Sequence, residues 1–363
     1  MEKILVYALS ENIGGVEEYV LNLSRYQSNM DHEYGYILLG EHSPYEDELQ
    51  RRKLKYYKVP KKKHIFKNVA RIYTLLKELR KEYSILYINT SSLGYILPYL
   101  IASSMGYKLV LHSHLDARST SSILKILVHE NNYKILKEKI SQRLACSTPA
   151  AKWMFDGDAD KAVLVPNAIN LGKFKFSLEE RNNYRKKLGL DGCKVIGNVG
   201  RLTYFKNQKF LLDIISRIND NKVKLLLIGD GEDKNDLINY AEKLGISSRV
   251  IFYGSTRAPQ EVMNAMDCIV MPSIAEGFPI TLVEAQAAGL PCIVSDVITT
   301  EVNVTDTVSF LSLNDSVDEW TKVIMSKLDL QRFNNFQKLR DAGFDVMTLE
   351  KRVYSFLQQD KRL

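Results

Sequence analysis

Short apolar runs rich in β-branched residues alternate with amphipathic stretches along nearly the whole chain, and no other feature restricts the fold as strongly. The runs predict strands over residues 4–8, 34–39, 85–89, 109–112, 143–146 and 162–165, then over 195–199, 224–228, 250–253, 268–271 and 292–295. Between them, stretches such as 69–81, 207–218 and 237–244 carry the spacing of one-sided helices. Strands that are apolar throughout and separated by helices belong to parallel sheets covered on both faces. Two such series predict an α/β chain of two doubly wound, Rossmann-like domains facing across a cleft, not a single barrel. A length of 363 residues agrees, being too great for one ordinary core. The join is expected at Pro166-Asn167-Ala168-Ile169-Asn170, giving domains 1–167 and 168–345. A charged helix over 178–188 follows it, and helices over 320–327 and 346–359 end the chain.

Ligands of open parallel sheets bind where strands end and loops lead into helices. The most informative such segment is Glu276-Gly277-Phe278-Pro279-Ile280-Thr281-Leu282-Val283-Glu284. Proline is favoured in a helix's first turn, so the segment reads as a loop entering a helix. The free N–H groups of that turn and the positive end of the helix dipole form an anion site. Two carboxylates fit there if they face hydroxyls while the N–H groups face phosphates, a combination suited to a nucleotide sugar. The plain alternative is a solvated loop glutamate and a helix-face glutamate.

Other strand ends add to this. Gly14-Gly15, after the first strand, lets backbone N–H groups approach a phosphate, or simply makes a tight turn. It is not the spaced dinucleotide fingerprint, and no Walker lysine follows. Arg201 and Lys206 follow the first strand of the second domain and are placed to clamp a diphosphate, with ordinary surface charge as the alternative. Gly229-Asp230-Gly231-Glu232 reads as a tight strand-to-helix turn, and Tyr253-Gly254-Ser255 could border a base. His112-Ser113-His114 closes the fourth strand, where a histidine can donate to a sugar hydroxyl or a leaving phosphate. The two imidazoles are expected on opposite sides, leaving one toward the cleft. Asp156-Gly157-Asp158-Ala159-Asp160 contains Asp-x-Asp but fails as a calcium loop, with Lys161 where glycine is required; it reads as an exposed acidic turn. No serine elbow, His-Glu-x-x-His or convincing metal cluster appears.

Charge is uneven. The chain carries +7 overall, and the part before Asn167 holds +6 of it. Most of the excess lies in residues 51–82, where thirteen Lys and Arg meet only Glu78 and Glu82. Such a patch suits the anionic cytoplasmic membrane face or a solvated surface; nucleic acid is the weakest reading, since no nucleic-acid motif accompanies it. Cys146, Cys193, Cys268 and Cys292 are scattered without Cys-x-x-Cys, which fits a reducing cytosol. The N-terminus runs straight into a strand without a signal peptide's apolar core, and no segment reaches the roughly 18 apolar residues of a membrane span.

Taken together, Gly14-Gly15, His114, Pro166-Asn167, Arg201, Lys206 and the Glu276 to Glu284 spacing resemble the retaining glycosyltransferases of family 4, which have the GT-B fold. His112-Ser113-His114 and Pro166-Asn167-Ala168-Ile169-Asn170 look like the bacterial capsule and exopolysaccharide branch. Relatives often have glycine where Ala168 stands, a mild departure. The resemblance implies an acceptor-side first domain, a donor-binding second domain, and a 346–363 helix packing back on the first. It implies that Arg201 and Lys206 neutralise the donor diphosphate, with Gly14 and Gly15 closing over it. Glu284 would hold the ribose hydroxyls and Glu276 those of the transferred sugar. Backbone N–H groups around Gly277, Phe278 and Ile280 would bind sugar and phosphate, and His114 would serve the reacting centre. No cofactor or metal is expected; the co-substrate would be a nucleotide sugar, UDP-linked by the branch resemblance.

The leading expectation is thus a cytoplasmic enzyme, peripheral at the inner face of a bacterial membrane, transferring sugar to a lipid-linked or oligosaccharide acceptor. The basic stretch and a helix over 121–139 would meet the membrane. A catalytically inactive partner protein and a nucleotide-sugar epimerase are the alternatives, separable by whether donor is consumed and whether an acceptor is required.

Overall fold

The computed structural model describes residues 2–11, 15–25, 32–115 and 122–358. Gly14, Ser121 and residues 359–363, which enter the expectations above, lie outside them. The chain divides into two compact units, one running to Ala168 and resuming at Val346, the other spanning Ile169–Asp345.

The first unit holds β1 (Glu2–Leu9), β2 (His32–Leu39), β3 (Lys55–Val59), β4 (Ile85–Thr90), β5 (Lys108–Ser113), β6 (Ile140–Ala145) and β7 (Val163–Leu164). All pairings are parallel, in the order β3-β2-β1-β4-β5-β6-β7. The second holds β8 (Lys194–Val199), β9 (Val223–Ile228), β10 (Val250–Gly254), β11 (Cys268–Met271), β12 (Cys292–Ser295) and β13 (Val308–Leu311), also parallel, in the order β10-β9-β8-β11-β12-β13. Both are doubly wound sheets that reverse direction beside their first strand.

Burial explains the apolar runs. Along β11, Cys268 and Val270 join one buried cluster while Ile269 and Met271 join another. Successive strand residues point to opposite faces, so both faces of this sheet are covered. The helix Val346–Gln358 places Val346, Leu349, Val353 and Leu357 in the first unit's core. Its Glu350 meets His32 at 2.7 Å, and Tyr354 stacks on the same imidazole.

Three sequence expectations need correction. No strand is expected within 51–82, yet that stretch contains β3, an edge strand. Its lysines suit an edge, where charge discourages pairing with another chain. Its cations are also opposed by more carboxylates than the local sequence offers: Lys58 pairs with Glu46 at 2.8 Å, Arg52 with Glu48 at 3.3 Å, and Lys61 with Glu11. The strand β13 was not foreseen either, because Val-Ser-Phe-Leu is too short and mixed to stand out. Third, His112 and His114 do not diverge: their ring centroids lie 4.0 Å apart. Residues two apart on a strand share a face.

Candidate active site

In the second unit the winding reverses between β8 and β11, and the crevice outside the carboxyl ends there is the usual ligand site of such sheets. Arg201 and Lys206 leave β8 at this point, and Ser273 and Glu276 leave β11. The Lys206 ammonium contacts Glu276 Oε1, which also accepts from Ser273 Oγ at 2.9 Å. Arg201 reaches the other way, to Glu232 at 3.3 Å, with most of its side chain in solvent. The two cations therefore share one loop but have separate carboxylate partners.

Side-chain amides, two of them buried, hold that loop. Asn198 donates to the Val270 carbonyl at 2.8 Å, Gln208 to the Arg201 carbonyl at 2.9 Å, and Asn207 to the Pro272 carbonyl at 3.0 Å. Ile274 N–H closes the seam on the Phe205 carbonyl at 2.8 Å. Ser295 Oγ, at the end of β12, donates to the Ser273 carbonyl at 2.6 Å. Hydrogen bonds in a dry interior fix geometry better than exposed ones. A second clamp comes from the turn after β9. Gly229, at φ +139°, and Gly231 press against the Arg201 loop so closely that a Cβ on either would overlap the Gly200 or Leu202 carbonyl. Leu202 N–H donates to the Asp230 carbonyl at 3.0 Å. The glycine turn is structural, as its sequence suggests, and it also delivers Glu232 to Arg201.

The helix Ile280–Ala287 starts next to this pair, with Pro279 as its N-cap. Phe278 turns inward and stacks on Phe344, ring centroids 5.6 Å apart. That fixes the loop by its side chain and leaves backbone for other partners. The N–H groups of Gly277, Phe278, Ile280 and Thr281 donate to no acceptor among the described residues, as expected of a helix's first turn. Glu284, one turn on, is half-buried with no hydrogen-bond partner for its carboxylate among the described residues, and burial pushes its carboxyl up to about 7.

The tip of the first unit is built differently. His114 is 5% exposed, with Nδ1 2.9 Å from Asn167 Oδ1 and Nε2 2.8 Å from Asn89 Oδ1. A neutral imidazole has one N–H, so one asparagine must turn its amide nitrogen toward the ring. Burial pulls the His114 pKa down to about 4, and that of His112 well below its usual value. His112 Nδ1 meets Tyr87 Oη at 2.7 Å, which meets Tyr19 Oη at 3.0 Å. Gly15 opens the helix Gly15–Arg25, and no atom of the described residues lies within 4 Å of where a Cβ would sit. Ser10 Oγ donates to Glu17 in that helix's first turn, so a carboxylate already sits where the helix dipole favours negative charge.

The structure thus brings Lys206, Glu276, Gly277, Phe278, Ile280 and Glu284 around one helix start and sets Arg201 beside them, paired elsewhere. Glu232, Ser273, Asn89 and Asn167 were not singled out as site residues. Only Glu232 and Asn167 had a signal, as neighbours of motifs read as turns. The acidic turn 156–161 is structural: Asp158 accepts from Tyr133 Oη at 2.8 Å and from Lys161 Nζ at 2.6 Å. Among the described residues no group of three His, Cys, Asp or Glu side chains could hold a metal ion, and no helix is long and apolar enough to cross a membrane.

Comparison with known proteins agrees on class. The family model described as Glycosyltransferase Family 4 matches residues 13–173, and that described as Glycosyl transferases group 1 matches residues 180–343. EpsF of Bacillus subtilis, named as a glycosyltransferase, is 28% identical over 89% of this chain and 87% of its own. The Escherichia coli UDP-Gal:alpha-D-GlcNAc-diphosphoundecaprenol alpha-1,3-galactosyltransferase is 30% identical over 64% of this chain and 63% of its own. HepE of Anabaena, solved with UDP-glucose, shares the fold with a TM-score of 0.77 at 20% identity, covering 98% of this chain and 99% of its own. Two doubly wound parallel sheets with these matches define a GT-B glycosyltransferase. The chain belongs to family 4 of these enzymes.

Proposed function

We propose that this enzyme is a retaining glycosyltransferase that moves a sugar from a UDP-sugar to a lipid-linked glycan at the cytoplasmic membrane face, in capsule, exopolysaccharide or related surface-glycan synthesis. The observation that carries the donor assignment is the meeting of Lys206, Glu276 and unpaired helix N–H groups at the reversal of the second sheet. UDP complexes of HepE and the galactosyltransferase's named donor and acceptor support the substrate classes.

In this reading the donor diphosphate competes with Glu232 and Glu276 for Arg201 and Lys206, while the N–H groups of Gly277, Phe278 and Ile280 meet phosphate and sugar oxygens. Glu284 accepts from the ribose hydroxyls and Glu276 from those of the transferred sugar. Breaking the bond from anomeric carbon to phosphate leaves negative charge on the diphosphate and positive charge on the sugar. Fixed cations and N–H dipoles stabilise the first. The acceptor oxygen bonds to the anomeric carbon on the face the phosphate leaves, and its proton passes to the departing phosphate oxygen. Glu276 therefore binds hydroxyls and is not a glycosidase-type nucleophile. Gly15 serves the same reaction from the N-terminal unit, where His114, engaged by Asn89 and Asn167, acts as a positioning residue. Charge neutralisation is assigned to these groups, with no cofactor or metal ion required.

Peripheral membrane binding is supported by the helix Ile123–Leu136, which exposes Ile123, Leu124 and Leu127. Flotation with anionic vesicles tests it: recovery of the protein with vesicles at low salt is expected, and none would sink it. The reaction is tested by screening nucleotide sugars for binding, then following transfer to lipid-linked acceptors with the product anomer read by NMR. An inverted product would overturn the retaining mechanism, and conversion of donor without acceptor would indicate an epimerase.

A further inference from the structure

A cavity of about 460 Å³ opens at the C-terminal edge of the first sheet. Tyr7, Glu11, Lys61, Lys62, Lys63 and Tyr95 line it. Lys61 pairs with Glu11, whereas Lys62 and Lys63 are exposed and form no ion pair among the described residues. Three ammonium groups against one carboxylate leave two positive charges, which balance the two negative charges of a diphosphate diester.

The lysines are not a loose surface run. Asn68, 1% exposed, donates to the Pro60 carbonyl and accepts from Tyr95 Oη at 2.7 Å, which anchors the segment carrying all three. Tyr7, 6% exposed as a residue, reaches the cavity wall, and its hydroxyl makes no hydrogen bond among the described residues, so it can donate to a phosphoryl oxygen there. Directly after the lysines come Ile65, 43% exposed, and Phe66, 87% exposed, in the first turn of the helix Ile65–Leu79. A cationic cavity bordered by exposed apolar side chains fits an amphiphile with an anionic head.

We propose that this cavity receives the diphosphate of the acceptor, with its lipid chain over Ile65 and Phe66. Lys62, Lys63 and Tyr7 Oη would bind the phosphoryl oxygens, and Lys61 would be held in place by Glu11. The proposal rests on the lipid-linked acceptor reading above.

The test is binding of farnesyl diphosphate to the full chain saturated with UDP, which blocks the donor side, with inorganic pyrophosphate and farnesol as separate arms. Farnesyl diphosphate should bind, and a Lys62→Ala, Lys63→Ala double variant should bind it roughly tenfold or more weakly, since charge-assisted hydrogen bonds are lost. Tyr7→Phe should weaken it less, and Phe66→Ser should weaken farnesyl diphosphate but not pyrophosphate. UDP affinity, unchanged in each variant, guards against misfolding. Equal farnesyl diphosphate affinity in wild type and the double-lysine variant overturns the proposal, as does pyrophosphate binding as tightly as farnesyl diphosphate. Transfer to a lipid-linked acceptor with KM unaltered in the double-lysine variant would overturn this site and leave the proposed function standing. Lysine-dependent binding with no transfer to any lipid-linked acceptor would do the reverse.

Discussion

The two sheet tips share a winding order and differ in how they present chemistry. At the tip after β8 and β11, Lys206, Glu276 and Glu284 are partly open to solvent, and buried amides such as Asn198 and Gln208 hold the loop beneath them. At the tip after β5, the polar groups themselves are buried: His114 is gripped by Asn89 and Asn167, and His112 by Tyr87. One tip displays charge on a rigid frame, and the other makes its frame from the residues that look reactive. A reactive residue type at a strand end is therefore weak evidence of contact with substrate until its own partners are known.

The largest expected effects separate the tips. Lys206→Ala and Glu276→Ala should each lower transfer by about 10²–10³-fold, the usual loss when a fixed charge at a reacting phosphate or sugar is removed. Steady-state assays with UDP-sugar check this, and near-wild-type turnover in both would erase the contrast. Next in size, Gly231→Ala drives a Cβ into the Leu202 carbonyl. It should destabilise the second unit by about 1–3 kcal/mol and weaken UDP binding, read by thermal melting and calorimetry. His114→Ala strips Asn89 and Asn167 of their shared partner and should cost about 1–3 kcal/mol of stability. If it abolished turnover without lowering Tm, His114 would belong with the displayed residues after all.

The smallest effect is a pH dependence at Glu284. Its carboxyl titrates near 7 in the folded protein, above the ordinary 4.5. Ribose hydroxyls donate more strongly to the ionised form, so binding releases a proton and affinity should fall as pH drops below 7. UDP-glucose suits the measurement, because its doubly esterified diphosphate does not titrate there. A few-fold loss between pH 8 and pH 6 is expected in wild type, with a flat profile in Glu284→Gln. The stability sign is opposite. A raised folded pKa stabilises the free protein below about 4.5, and this is lost as pH rises through 7, so Glu284→Gln should melt higher than wild type at pH 8 and not at pH 4.5.

Legibility in the sequence followed the same divide. Strands buried on both faces, such as β11 and β12, stand out as unbroken apolar runs and were located to the residue. The edge strand β3 did not, because its lysines and tyrosines answer to an edge and not to a core. Arg201, Lys206 and the Glu276–Glu284 helix start were readable because they are local: charge after a strand, proline before a helix. The partners of His114 lie 25 and 53 residues away, so no window of sequence could show that both its nitrogens are engaged. Glu232 hid for a related reason, since its neighbouring glycines explained the turn without it.

The most direct test is UDP affinity, measured by calorimetry on wild type, Arg201→Ala, Lys206→Ala and His114→Ala. If the displayed charges form the donor site, wild type binds UDP, each cation variant binds roughly tenfold or more weakly, and His114→Ala binds as wild type does. UDP bound equally well by wild type and Lys206→Ala would contradict the assignment.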